Sequence, residues 1–208
     1  MEGDIMQEKE KKNILIVYCH PSNNSFTFSV KEEFVRGLTE AGHSYEISDL
    51  YEMNFDPVIS ENEYLREAFY DEGKSVPEEI IAEQKKINEA DDIVFIYPVF
   101  WTEAPAALTG WFQRVWTYGF AYGDAPTMKK LDKALFLVIM GGSLMDSIRV
   151  QQVEAMRTVM IGDRINARAK SSEMIVFDEM TRGYENEENR LDRGSEFLAQ
   201  AYHLGFEI

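Results

Sequence analysis

The chain has one cysteine, Cys19, and three histidines among 208 residues. A single thiol excludes an intramolecular disulfide framework, and a lone unpaired cysteine fits a reducing compartment such as the cytoplasm. Three scattered histidines and one cysteine show no metal-ligand spacing, so no metal site is read. Basic residues are also few, 21 Lys and Arg against 37 Asp and Glu, for a net charge of −16. Phosphate backbones and anionic lipid surfaces repel such a chain, which argues against nucleic-acid and membrane-surface partners. No apolar run approaches about 18 residues, so stable membrane insertion is not expected. There is no P-loop, no G-x-G-x-x-G and no G-x-S-x-G.

Hydrophobic residues make up 45% of the chain and charged residues 28%, the balance of a folded globular protein. Thirteen Phe, ten Tyr and three Trp supply a core and also suit a planar ligand. Residues 1–12, MEGDIMQEKEKK, lack the apolar centre of a secretion signal and read as a loose N-terminal tail. Residues 13–208 read as one domain.

Short β-branched and apolar runs alternate with helical periodicity. Asn13–Cys19 (NILIVYC) has no polar alternation, as expected of a strand buried on both faces. Phe26, Val30, Phe34, Leu38 and Ala41 then form one helical stripe, and Gly42 ends it. Further strands are expected at Ser44–Asp49, Ile93–Tyr97, Ala134–Met140 and Met174–Phe177. Helices are expected over Glu61–Tyr70, from Pro77, over Leu108–Trp116, Val150–Met160 and Leu191–Leu204. This alternation predicts a five-stranded parallel sheet with helices on both faces. Ligands of such sheets bind beyond the carboxyl ends of the strands, where strand order reverses.

Three loops therefore carry the candidate site. The first, His20–Phe26 (HPSNNSF), joins a buried strand to a helix. Free N–H groups at that helix start can hold a phosphate without lysines, and Ser25 is also a plain helix cap. The second, Pro98–Pro105 (PVFWTEAP), sets Phe100 and Trp101 at the sheet edge, as an aromatic wall for a flat ligand or as a satellite core. The third, Gly141–Gly142–Ser143, permits close backbone approach. A phosphate cradle, an aromatic wall and a bare-backbone contact on one crevice suit a phosphorylated planar cofactor. Residues 149–170 also concentrate cations, at Arg149, Arg157, Arg164, Arg168 and Lys170. These could receive phosphates or simply pair with the chain's own acids.

The segments ILIVYCHPSNNSF, SDLYEMNFDPVIS and AEQKKINEADDIVFIYPVFWTEAPAALTGWFQRVWTYGFAYG resemble the flavodoxin-like NAD(P)H:quinone oxidoreductase family, including its modulator-of-drug-activity and potassium-efflux ancillary branches. The resemblance implies a flavodoxin-like α/β fold, a bound flavin (FAD ahead of FMN), NAD(P)H as reductant, a quinone or related acceptor, ping-pong turnover, and a homodimer with its sites at the subunit interface. It places His20, Ser25, Phe26 and Thr27 around the flavin phosphate. It lays Pro98, Val99, Trp101 and Thr102 along the ring system, and Gly141 and Gly142 at its pyrimidine edge, with Phe100 beside them in the aromatic wall read from the loop itself. Beyond Gly142 the likeness fades. Two threonines usual before the glycines are Ile139 and Met140 here, and the tyrosine and histidine found after them in the animal enzymes are missing from SLMDSIRVQQVEAM. No catalytic side chain is assigned. A redox-sensing ancillary subunit and a flavodoxin-type electron carrier are the alternative functions.

Overall fold

A computed structural model describes residues 10–181 and 187–208. Five strands form one parallel sheet: β1 (Asn13–Tyr18), β2 (Ser44–Asp49), β3 (Asp92–Pro98), β4 (Leu131–Ile139) and β5 (Ala169–Phe177), in the order β2-β1-β3-β4-β5. Between them run α1 (Phe26–Ala41), α2 (Glu61–Ala68), α3 (Glu78–Glu89), α4 (Ala106–Val115) and α5 (Ser147–Arg157), and α6 (Glu187–Glu207) closes the chain. This is the five-stranded parallel sheet that the periodicity predicts, in the flavodoxin-like arrangement that the resemblance implies.

The unbroken apolar strands lie where both faces are covered. Residues 92–98 of β3 are all buried. Leu15, Val17, Ile93, Phe95 and Tyr97 point into a core completed by Ile80, Ile87, Leu108, Trp111 and Val115. Their neighbours Ile14, Ile16, Tyr18, Val94 and Ile96 point the other way, against Val30, Phe34 and Leu38 of α1 and Ala201 of α6. The apolar stripe of α1 thus does what its spacing predicts, and Gly42 caps the helix with φ of 79°. Trp111, read as core from its place on a helical stripe, is fully buried, and its Nε1 donates to Glu83 Oε2 at 2.8 Å.

Several elements differ from expectation: α6 runs Glu187–Glu207 rather than Leu191–Leu204, and β4 starts at Leu131 rather than Ala134. β5 begins at Ala169 rather than Met174. Its first half, AKSSE, is polar because β5 is an edge strand with open sides for such residues, so hydropathy alone hides it. The helix expected over Val150–Met160 starts earlier, at Ser147, and continues beyond Arg157 as a wider π-helical turn, Thr158–Ile165. Of the expected loose tail, residues 1–9 lie outside those described. Lys12 is tied down, its Nζ 2.8 Å from Asp92 Oδ2. Among the described residues no helix is long and apolar enough to cross a membrane.

β1 hydrogen-bonds to β2 on one side and β3 on the other, so the order reverses at β1/β3. The crevice beyond their carboxyl ends lies between the loop after Tyr18 and the loop after Pro98, and the turn after Ile139 adjoins it.

Candidate functional site

The first loop ends on a well-formed helix start. Ser25 has extended backbone and its Oγ accepts the Phe28 N–H at 3.1 Å. The same hydroxyl donates to Ser22 O at 3.0 Å. Both capacities of Ser25 are thus used inside the protein, and the cap function read from the sequence holds. What remains for a ligand is backbone: among the described residues, no group accepts the N–H of Phe26 or Thr27, at the positive end of a 16-residue helix. His20 Nδ1 lies 3.0 Å from Ser22 N and 2.9 Å from Ser22 O, so this nitrogen is spent locally in either tautomer. Nε2 is the ring nitrogen left to face a ligand. Burial pushes the His20 imidazole below its ordinary pKa, against the backbone contact to Ser22, so the ring is neutral at pH 7.

The second loop is a two-residue hairpin turn. Phe100 N donates to Glu103 O at 2.8 Å and Glu103 N to Phe100 O at 3.0 Å. Trp101 and Thr102 occupy the two central positions with φ of 54° and 70°. Such a turn favours Asn-Gly, because both central residues must be left-handed. A bulky aromatic and a β-branched residue there are strained, by about 1–3 kcal/mol each. The indole of Trp101 gains nothing from packing, since the residue is 99% exposed. Of the two readings of Phe100 and Trp101, the satellite core fails for Trp101: the turn displays it.

The third loop lies beside a fourth that the sequence reading passed over. Glu179 N donates to Gly142 O and Met180 N to Met140 O, at 3.2 and 3.1 Å, so residues 178–181 run alongside 140–142. Asp178, buried, accepts the Leu144 N–H at 2.7 Å and is paired with Arg193 of α6. The two glycines are needed for close approach, but by the protein's own side chains. A Cβ on Gly141 would stand 2.0 Å from Thr181 Oγ1, and one on Gly142 would stand 2.6 Å from Arg149 Nε. The signal for this fourth loop was its position at the carboxyl end of a parallel strand. It was missed because β5 lies away from the switch point.

Together the loops enclose two joined lobes. The narrower, about 400 Å³, is lined by His20, Asn24, Ser25, Phe26, Thr27, Pro98, Val99 and Phe100. The wider, about 700 Å³, takes in Trp101, Thr102, Met140, Gly141, Gly142 and Arg149. Val99, Gly141, Thr181 and Arg190 line both. Every residue expected to bind the cofactor therefore lines one cleft, with a donor-rich end and an aromatic-rimmed end. The basic stretch of residues 149–170 disperses instead. Arg157 pairs with Glu154 and Lys170 with Asp132. Arg164 packs on Phe112, and Arg168 bonds the carbonyl of Ala121. Of that run, only Arg149 lines the cleft.

This fold and cleft define a class. The chain belongs to the family with the flavodoxin-like fold, matched over residues 12–161. Within it, the chain is similar to NAD(P)H dehydrogenase (quinone) 1 of Rattus norvegicus, 38% identical over 150 residues, 64% of this chain and 54% of the rat protein. It is 37% identical over 128 residues to rat ribosyldihydronicotinamide dehydrogenase (quinone), 55% of each chain. The chain spans about half the length of these curated relatives. The solved structure of the NAD(P)H:quinone oxidoreductase from Methanothermobacter marburgensis superposes along nearly the whole chain, with a TM-score of 0.86, 38% identity, and coverage of 95% of this chain and 96% of that one. The family resemblance read from the sequence thus stands, and the match runs past Gly142 to residue 161.

Proposed function

We propose that this protein is a flavin-dependent NAD(P)H:quinone oxidoreductase, cytoplasmic and homodimeric, with FAD ahead of FMN as its cofactor. The observation that carries the reading is the strained turn that displays Trp101 over a cleft whose other end offers unclaimed N–H groups. Backbone strain held without any packing return points to a ligand as the beneficiary.

The residues fit a flavin. The Phe26 and Thr27 N–H groups are uncharged donors suited to a phosphate at a helix N-terminus, and His20 Nε2 joins them in the tautomer whose Nδ1 accepts the Ser22 N–H. Pro98, Val99 and Phe100 line the step from that end to the wide lobe, and Trp101 with Thr102 rims it, as a planar ring system requires. His20 and Asn24 line the same narrow lobe and add polar groups to it. Bound flavin supplies the hydride relay between nicotinamide and acceptor. The protein's part is placement: Val99, held to β4 by its N–H to Ile139 O at 2.8 Å, fixes the floor, and Trp101 sets the height of the space above it. Exposed Tyr64 on α2, with Phe69 and Tyr70 just after it, offers a second copy an apolar surface, in line with a dimer.

Steady-state kinetics test the reading. Varying NAD(P)H at several quinone concentrations should give parallel double-reciprocal lines, with two-electron product and no quinone radical. Absence of NAD(P)H oxidation with every quinone tried, in protein shown to hold flavin, would overturn the enzyme assignment.

A further inference from the structure

Arg149 stands in the first turn of α5, three residues after the Asp146 cap. Its side chain packs against the third loop: a Cβ on Gly142 would meet Nε at 2.6 Å and Cζ at 3.2 Å. A side chain at 142 would therefore force the Arg149 side chain to shift from this position. Its hydrogen-bond partner is neutral, with Nη1 donating to Gln152 Oε1 at 2.8 Å. Among the described residues no carboxylate pairs with it. Two acids share the lobe and both are engaged. Asp146 accepts the Ile148 N–H at 3.0 Å as the helix cap, and Glu179 lies 3.3 Å from Arg193. Arg149 thus presents to the cleft a guanidinium that, among the described residues, has no carboxylate in ion-pair contact.

We propose that Arg149 receives a phosphate group of the nicotinamide nucleotide and so lets the wide lobe tell its anionic donor from its neutral acceptor. The inference rests on the oxidoreductase reading above. A guanidinium presents a planar fork of donors that matches phosphate oxygens with two hydrogen bonds. The acidic surface repels a nucleotide at long range, but at physiological salt that repulsion fades over roughly 8 Å, so a cation inside the cleft decides the outcome. An uncharged quinone gains nothing from the same group. Donor and acceptor can then share one lobe in turn, with Arg149 felt by the donor alone.

The test uses Arg149→Gln and Arg149→Lys in the protein as purified. Calorimetry would measure the affinity of two redox-inert probes, ADP and adenosine 2′,5′-bisphosphate. Rapid mixing would measure the reductive half-reaction with NAD(P)H and the oxidative half-reaction with an uncharged benzoquinone. Arg149→Gln should weaken at least one probe tenfold or more, with partial recovery in Arg149→Lys and a shallower salt dependence. Loss with ADP assigns the diphosphate, and loss confined to the bisphosphate assigns the 2′-phosphate. The reductive half-reaction at low donor should lose at least tenfold more than the oxidative one. Equal affinity of both probes for wild type and Arg149→Gln would overturn the proposal. So would a lowered flavin midpoint potential with unchanged probe affinity, which would assign the charge to the ring instead. Probe binding is read without turnover, so a protein devoid of flavin would sink the oxidoreductase reading while the calorimetric result still judged Arg149.

Discussion

Phe100 and Glu103 exchange both of their backbone hydrogen bonds, and the two residues between them, Trp101 and Thr102, are held left-handed by that exchange. Ladder bonds from β3 and the start of α4 fix the ends of this turn, so the strain cannot relax by local unwinding alone. Trp101→Gly should therefore leave the melting temperature unchanged or raise it, since glycine accepts positive φ at no steric cost and no buried surface is lost. Flavin affinity or turnover should fall at least tenfold. Trp111→Ala should behave oppositely. It should cost about 3–5 kcal/mol, as removal of a buried Trp does, with normal turnover in the folded fraction. Thermal melts of the two variants beside their activities per folded molecule check both halves; a Trp101→Gly protein with full activity would remove the wall assignment.

The strand and helix pattern was legible because its signal is burial. Residues 14–18 and 93–98 are apolar throughout because both faces of those strands are covered. The cleft was legible at His20–Thr27, Pro98–Thr102 and Gly141–Gly142, since a parallel sheet gathers these loops at one edge. Three things were hidden. The left-handed turn at Trp101 has no sequence mark, because its residues are the ones such a turn disfavours. The polar start of β5 needed the knowledge that β5 is an edge. Arg149 looked like one cation of five, and only the fold separates it from Arg157 and Lys170, which spend their charge on neighbouring acids.

Ser25→Asp should separate helix capping from cofactor binding. Aspartate caps as well as serine, and its charge favours the helix start by about 0.3–1 kcal/mol, so apo-protein stability should hold or rise. The added carboxylate beside the free Phe26 and Thr27 N–H groups should repel a phosphate and raise the flavin dissociation constant at least tenfold. Ser25→Ala should lose about 1 kcal/mol of stability with a smaller effect on flavin. Equal flavin affinity in wild type and Ser25→Asp would take the first loop out of the cofactor site.

Cys19 should be chemically silent. It is fully buried at the end of β1, and burial pushes its thiol up to about 12. Thiol reagents at pH 8 should label it only as fast as the protein unfolds. Rapid labelling under native conditions, measured by mass spectrometry, would show that the β1 end opens.

His20 gives the protein an acid-side stability slope. Its folded-state pKa lies below the unfolded value of about 6.5. Below pH 6.5 the unfolded chain takes up a proton that the folded imidazole resists, so stability is intact above 6.5 and declines as pH falls. His20→Asn should flatten that part of the profile in urea melts at pH 5.5 and 7.5. A larger acid loss in the variant than in wild type would reverse the sign and contradict a neutral His20.

The central claim, that the cleft holds a redox-active flavin reduced by a nicotinamide nucleotide, is tested most directly by one anaerobic spectral titration. The purified protein, reconstituted with FAD and separately with FMN, would be followed in the visible region while NADH or NADPH is added. The account predicts a yellow protein whose flavin absorbance bleaches at about one equivalent of reductant and returns on adding quinone. A protein that takes up neither flavin, or binds one that neither nucleotide bleaches, would contradict it.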